Sequence, residues 1–277
     1  MYLKGVKEEV DLIEKIFKEM IYVLNTSGKL TPGDVETIIE LAKEGKDIVN
    51  GKELDNVIYY TRKGTIKAKT PNQILYLKIM KESDICFAIG PAGTGKTYLA
   101  VAFALSALKK GIVERLILAR PAVEAGESLG FLPGDFKEKI DPYLRPLFDA
   151  LQDMLPAEQL NNYIERGIVE IVPLAYMRGR TLNNSYVILD EAQNSTALQM
   201  KMFLTRLGPN SKAIITGDIT QIDLPSHSMS GLIQAKNILK NVEGVGFVYF
   251  NKNDVVRHKL VKDIINAYEK YSNGNES

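Results

Sequence analysis

Two short stretches of the chain carry residue types suited to phosphate chemistry, and the first is GPAGTGKT at 90–97. Glycines in such a loop let successive backbone N–H groups turn towards phosphate oxygens, and a helix starting there adds unpaired N–H groups and a positive dipole end. Glycine-rich turns are common, but here an apolar run precedes the loop and a helical pattern follows it. The stretch therefore predicts a phosphate-binding loop that contacts its ligand through Gly90, Pro91, Ala92, Gly93, Thr94, Gly95, Lys96, Thr97 and Tyr98.

The second stretch is YVILDEAQN at 186–194, in which three apolar residues deliver Asp190 and Glu191 to the end of an expected buried strand. With a phosphate loop upstream, Lys96 is expected to reach the β- and γ-phosphates, while Thr97 and Asp190 hold Mg²⁺. Glu191 would orient and polarise the attacking water. An isolated Asp-Glu pair is usually a solvated surface pair, but this position favours hydrolysis of ATP or GTP.

Two glutamines extend the expected site. Gln221 lies in IITGDITQIDLP at 214–225, where its amide could hydrogen-bond the γ-phosphate or the attacking water. The alternative is a turn in which Asp218 and Gln221 only cap the next segment. Gln73 precedes the first core strand, and a side-chain amide can pair with N6 and N7 of adenine, which would favour ATP over GTP.

Apolar periodicity places these motifs on alternating strands and helices, which predicts an α/β fold with a mainly parallel sheet and helices on both faces. The expected strands are 85–89, 115–119, 168–172, 186–190, 213–217 and 246–250. The expected helices are 74–81, 96–109, 143–154, 157–165, 196–207, 230–240 and 255–271. Ligands of such sheets bind at the carboxyl ends of the strands.

The first 70 residues predict a small N-terminal α/β accessory unit with a strand at 2–4, helices at 7–24 and about 31–45, and a hairpin at 57–69. The ATPase core is expected at 71–271 and a frayed polar tail at 272–277.

The chain has 277 residues, 45% of them hydrophobic, and a net charge of +1, so nucleic acid would have to bind through local basic patches. Cys86 is the single cysteine, which excludes an intrachain disulfide and is typical of a reducing compartment. The longest mostly apolar stretch, 98–108, is too short to span a bilayer, and the N-terminus shows no secretory pattern. We expect a soluble cytoplasmic protein with no membrane partner.

Together the motifs resemble those of superfamily-one helicases, and from Thr70 to Tyr268 the chain resembles the PhoH family of bacterial ATPases. The residues that carry this likeness include TPNQ, GPAGTGKTYLA, RPAVEAGESLGFLPGD, RGRTLN, ILDEAQN, TGDITQIDLP and DVVRHKLV. The resemblance implies an ATP-hydrolysing protein on a RecA-like core, linked to RNA metabolism and rRNA maturation, that works beside an endoribonuclease. Longer relatives carry a KH-like unit, of which 2–24 resembles only the last strand and helix; its GxxG clamp is missing.

A single core leaves the γ-phosphate open on one side, and an arginine supplied there is worth roughly 10³–10⁵ in rate in related systems. We therefore predict a homo-oligomeric ring, expected to be hexameric, in which a neighbouring copy provides this arginine. The candidates are Arg120, Arg178, Arg180, Arg206 and Arg257. Each of them alone is more often a surface charge or a salt-bridge partner.

The Gly- and Pro-rich segment 120–142 is too long for a simple connection, and loops of this length are usually functional. In a ring it could line the central hole, with Lys137 and Lys139 touching RNA phosphates, or it could pack between subunits. Two other functions remain open at this point: a P-loop kinase for a small metabolite, and a nucleotide-gated scaffold for a ribonuclease partner.

Overall fold

The computed structural model describes residues 4–27, 30, 32–43, 56–61, 64–121, 136–225, 228–256 and 264. The chain forms two compact units, Met1–Lys69 and Thr70–Ser277. None of the described helices is both long enough and apolar enough to cross a membrane.

The first unit contains two helices and a hairpin: α1 (Lys7–Ser27), α2 (Pro32–Lys43), β1 (Val57–Thr61) and β2 (Gly64–Lys67). Ile38 of α2 is fully buried against Ile16, Met20 and Leu30. β1 and β2 pair antiparallel, as expected of the hairpin. Residues 2–3 of the predicted strand and the turn residues 62–63 lie outside the described residues. Lys4, the last residue of that predicted strand, is described and is not in a strand. The origin of this unit in a KH-like domain stays a prediction.

The second unit alternates strands and helices. In chain order its main elements are α3 (Pro71–Glu82), β3 (Ile85–Ile89), α4 (Lys96–Lys109), β4 (Arg115–Arg120), α5 (Phe136–Met154), α6 (Ala157–Glu165), β5 (Val169–Pro173), β6 (Ser185–Leu189), α7 (Ala197–Leu204), β7 (Lys212–Gly217), α8 (Gly231–Ile238) and β8 (Val245–Tyr249). The six strands β3 to β8 form one sheet in the order β5-β4-β6-β7-β3-β8, and every neighbouring pair is parallel. The predicted strands agree with these to within one residue at each end.

The centre of the sheet is covered on both faces. Every residue of β6 is buried, as are four of the five residues of β3. Alternate residues of a strand point to opposite faces, so such continuous burial requires packing on both sides. The sheet order confirms the α/β fold and places β7 between the phosphate-loop strand β3 and the acidic strand β6.

Several predicted helix boundaries are wrong: α3 begins at Pro71 instead of 74, and α7 ends at Leu204 instead of 207. Helix α5 begins at Phe136 instead of 143 and continues through Pro142 and Pro146, so composition overestimated the length of the irregular segment. Lys137 and Lys139 therefore belong to a helix, while 122–135 lie outside the described residues. The helix expected from 255 does not start there, because 255 and 256 are not helical; of 257–271 only residue 264 is described, and it is helical.

Candidate phosphate-binding and hydrolytic site

The phosphate loop connects β3 to α4 in the predicted place. Gly90, Gly93 and Gly95 adopt φ values of 154°, 79° and 82°. At Gly90 an added Cβ would lie 2.5 Å from the carbonyl oxygen of Phe250, which follows β8. Only glycine fits this position, because both the left-handed backbone and the close approach of the neighbouring chain exclude a side chain.

Lys96 spans the loop from the first turn of α4. Its Nζ donates to the carbonyl oxygens of Gly90 (2.7 Å) and Pro91 (2.8 Å), and more weakly to Thr94 Oγ1 (3.4 Å). Burial lowers the pKa of Lys96, an effect that the nearby carboxylates of Asp218, Glu191 and Asp190 oppose. These bonds hold the loop curved around the ammonium group of Lys96, and such a concave, positively charged loop is suited to binding phosphate.

Three oxygen-bearing side chains meet where Mg²⁺ was expected. Thr97 Oγ1 donates to Asp190 Oδ1 at 2.5 Å, and Thr216 Oγ1 donates to the same oxygen at 2.7 Å. Mg²⁺ prefers oxygen ligands and usually needs only one or two carboxylates in addition to substrate phosphates and water. Among the described residues, no three or more His, Cys, Asp or Glu side chains are grouped so that they could hold a metal ion by themselves. Thr216 is not among the predicted site residues, although it lies next to the end of the predicted strand 213–217.

Glu191 is held by a residue that the sequence analysis also missed. Gln193 is 1% exposed, and its Nε2 donates to Glu191 Oε2 at 2.5 Å and to the Gln221 carbonyl at 3.1 Å. Its Oε1 accepts from the backbone N–H of Asp218 at 3.0 Å. The buried amide of Gln193 therefore fixes the acidic pair, Asp190 and Glu191, relative to the segment 218–221 that follows β7. Its place in the DEAQN stretch was the only signal available.

A cavity of about 230 Å³ joins the loop to the acidic residues and is lined, among others, by Gly95, Lys96, Asp190, Glu191 and Gln221. The structure thus brings Gln221 to the same cavity as Glu191, as predicted. Asp218 also lines it: its Oδ1 accepts from Thr220, whereas its Oδ2 is buried without a hydrogen-bond partner in the described part of the chain. A buried acceptor without a donor fits a site completed by a ligand or its water.

The side chain of Gln73 contacts the backbone of the phosphate loop. This side chain is 3% exposed, and its Nε2 donates to the Thr94 carbonyl at 3.0 Å. The adenine-binding role stays a prediction, and the structure adds a bracing role. Asp254 braces the same region: it accepts from Thr70 at 2.5 Å and Asn72 at 2.8 Å, and although burial raises its pKa, these bonds lower it overall.

The candidate arginines differ in what they contact. Arg180 forms two 2.7 Å bonds with Glu170. Arg206 donates to the Met202 and Arg180 carbonyls of its own chain. Arg178 is exposed and makes no side-chain hydrogen bond or ion pair with the residues that the structure describes, whereas Arg120 faces Asp190 and Glu191 in cis. Arg257 lies outside the described residues.

Comparison with known proteins places this site in a family. The family described as PhoH-like protein matches residues 65–269, which include the phosphate loop, the acidic pair and Gln221. This chain belongs to the PhoH family. A PhoH-like protein of Bacillus subtilis is 52% identical over 98% of this chain and 85% of its own length, and one of Synechocystis is 49% identical over 97% and 82%. Protein PhoH of Escherichia coli K12 is 50% identical over 73% of this chain and 58% of its own length.

Among solved structures, the SWI2/SNF2 ATPase core of Sulfolobus solfataricus in complex with dsDNA aligns with 58% of this chain and 33% of its own. The sequence identity is 16% and the TM-score 0.38, too low to support a functional comparison. The PhoH family match and the geometry above together establish a nucleotide-binding P-loop fold.

Proposed function

We propose that this PhoH-family protein binds ATP with Mg²⁺ and hydrolyses it. The observation that carries the proposal is the hydrogen-bonded group Thr97–Asp190–Thr216, which stands beside the Lys96-closed loop. A loop alone binds phosphate, but a carboxylate that follows β6 and is hydrogen-bonded to the loop threonine supplies the oxygen ligands that a phosphate-bound Mg²⁺ uses.

Each side chain then has a role that its position supports. Backbone N–H groups of the loop and the α4 N-terminus bind the phosphates, and Lys96 offsets charge at the β- and γ-phosphates. Bound Mg²⁺ would lie against Thr97 and Asp190 and would draw negative charge from the phosphates. Glu191 accepts a hydrogen bond from the attacking water, and Gln221, on the same cavity, orients that water or the γ-phosphate.

We also propose that the protein acts on RNA, as the family resemblance implies. It would work with an endoribonuclease partner, and six copies would form a ring. Within such a ring, Arg180 and Arg206 are engaged in their own chain, so the candidates for insertion into a neighbouring site are the exposed Arg178 and the undescribed Arg257. Replacing Arg178 by Ala should then reduce turnover without weakening nucleotide binding.

A phosphate-release assay without added acceptor tests the proposed hydrolysis. Wild type should release phosphate only with Mg²⁺, Lys96→Ala should lose nucleotide binding, and Glu191→Gln should retain binding while turnover falls by about 10²-fold or more. Free phosphate formed without an acceptor would exclude the metabolite kinase. Wild type that binds ATP but releases no phosphate, with or without RNA, would overturn the hydrolysis proposal and favour the scaffold function.

The same assay with RNA and with DNA, run beside a mass measurement in solution with Mg²⁺ and an ATP analogue, tests the remaining parts. RNA stimulation and a hexameric mass support them. Full activity in a strictly monomeric protein would contradict the ring.

A further inference from the structure

Strand register fixes Arg120 beside the acidic pair. β4 and β6 are parallel neighbours with Ala119 opposite Leu189, and the backbone N–H of Asp190 donates to the Ala119 carbonyl at 2.9 Å. The residue after each of these strand positions therefore lies at the same edge of the sheet. Arg120 is 3.8 Å from Asp190 Oδ2 through one guanidinium nitrogen and 3.5 Å from Glu191 Oε1 through the other.

The guanidinium of Arg120 borders a second cavity, which Thr97 and Tyr98 also line. This cavity measures about 480 Å³ and is lined as well by Pro146, Asp149 and Ala150 of α5, whereas Arg120 does not line the cavity that holds Lys96 and Gln221. The two cavities share Thr97, Tyr98, Asp190 and Glu191 as lining residues. Of these, Arg120 forms ion pairs with Asp190 and Glu191, so we expect its effect on nucleotide chemistry to pass through the two carboxylates.

Each of the two carboxylate oxygens of Glu191 contacts a different side chain. Oε2 accepts from Gln193 at 2.5 Å, and Oε1 faces Arg120 at 3.5 Å. Each carboxylate oxygen can accept two hydrogen bonds, so Glu191 can still accept from water, but the two contacts hold the carboxylate in its present orientation. The longer and more exposed contact, to Arg120, is the one that yields more easily.

The two carboxylate oxygens of Asp190 also have different partners. Its Oδ1 accepts from Thr97 and Thr216 on the phosphate side, whereas its Oδ2 faces Arg120. A fixed positive charge 3.8 Å from one oxygen competes with a divalent cation for the same carboxylate. Arg120 should therefore weaken Mg²⁺ binding as well as restrain Glu191.

We infer that Arg120 is a positioning residue that acts in cis: it restrains Glu191 and Asp190 in the resting site and thereby opposes the binding of Mg²⁺ and the activation of water. This inference rests on the proposed ATP hydrolysis and deepens it. It also replaces the sequence-based view of Arg120 as an arginine donated to a neighbouring copy, since its guanidinium is already used within its own site.

The first test measures Mg²⁺ binding and needs no turnover. A fluorescent, non-hydrolysable ATP analogue is titrated with Mg²⁺ on wild type, Arg120→Gln, Arg120→Lys and Arg115→Gln. Arg115 begins the strand that Arg120 ends and donates to the Asn183 carbonyl, so its replacement removes the same charge from the far end of β4. Arg120→Gln should lower the half-saturating Mg²⁺ concentration by about two- to fivefold, the range expected of a partly exposed ion pair. Arg120→Lys and Arg115→Gln should stay near wild type.

An unchanged or higher half-saturating concentration in Arg120→Gln, or an equal decrease in Arg115→Gln, would overturn the inference. Melting curves of all four proteins show whether each variant is folded. Should Arg120→Gln prove unfolded, Arg120→Met is measured in its place, because its linear side chain retains the packing of the arginine stem.

The second test measures turnover at saturating Mg²⁺ and ATP. Releasing Glu191 should raise kcat of Arg120→Gln by about two- to fivefold, while Arg115→Gln stays unchanged. A fall in kcat with nucleotide binding retained would instead make Arg120 a stabiliser of the transition state and refute the restraint. If wild type releases no phosphate at all, the hydrolysis proposal fails, whereas the Mg²⁺ titration still decides the role of Arg120.

Discussion

Replacing Gln193 by Met should uncouple Glu191 from the segment after β7 while leaving nucleotide binding intact. Methionine matches glutamine in length and is unbranched, so it fills the same buried space without donating or accepting. It removes the donor to Glu191, the donor to the Gln221 carbonyl and the acceptor of the Asp218 N–H. No atom of the phosphate loop is hydrogen-bonded to Gln193 in the described structure, so the affinity for ATP should change little.

The three lost bonds contribute differently. Asp218 is 5% exposed, and its orphaned N–H should cost about 1–3 kcal/mol of the free energy of unfolding. Gln221 is exposed, so water can replace the donor to its carbonyl at little cost. The bond to Glu191 involves a charge and is worth roughly 1.5–3 kcal/mol. If Glu191 is correctly oriented only with that bond, kcat should fall about 10- to 100-fold.

Steady-state phosphate release, binding of a fluorescent ATP analogue and urea denaturation separate these effects. Gln199→Met is the matched control, because Gln199 forms the capping box of α7 with Thr196 and does not line the cavity. The control should lose about 0.5–2 kcal/mol of stability and keep its kcat. If Gln193→Met lost stability but kept kcat within about twofold, the contact with Glu191 would be structural only and the reasoning would be refuted.

Three further outcomes follow from the site. Gly90→Ala should abolish nucleotide binding in an equilibrium titration and lower the melting temperature, because its Cβ would meet the Phe250 carbonyl at 2.5 Å. Burial lowers the pKa of Lys96, and phosphates bind the protonated form of this lysine. The affinity for an ATP analogue should therefore be constant below that pKa and fall as pH rises through it. This fall should occur at a lower pH than it would for a lysine with an ordinary pKa. A flat profile up to pH 10, roughly the ordinary lysine range, would contradict this. Thr216→Val should raise the half-saturating Mg²⁺ concentration by about three- to tenfold, since Asp190 loses one of the two hydroxyl donors that fix it; an unchanged titration would show that Thr97 alone suffices.

The sequence by itself determined the parts of this protein that are contiguous in the chain. The loop at 90–97 carries its glycines, Lys96 and Thr97 within eight positions, because a single strand–turn–helix unit builds the whole cradle. The apolar strands were also readable, since burial on both faces leaves continuous runs such as residues 185–189. Composition was misleading at the start of α5, which lies in Gly- and Pro-rich surroundings.

Tertiary structure alone decided which distant residues meet. The order β4-β6-β7-β3 sets the ends of these strands side by side, and this order is not written in any local pattern. It brings Thr216 to Asp190, and Arg120 to Glu191. It also assigned Gln193 to the buried link between the acidic pair and the Gln221 segment. Residue type can suggest a charge or a hydrogen bond, but only the packed sheet decides which partner receives it, because partners far apart in sequence become neighbours at the shared carboxyl edge.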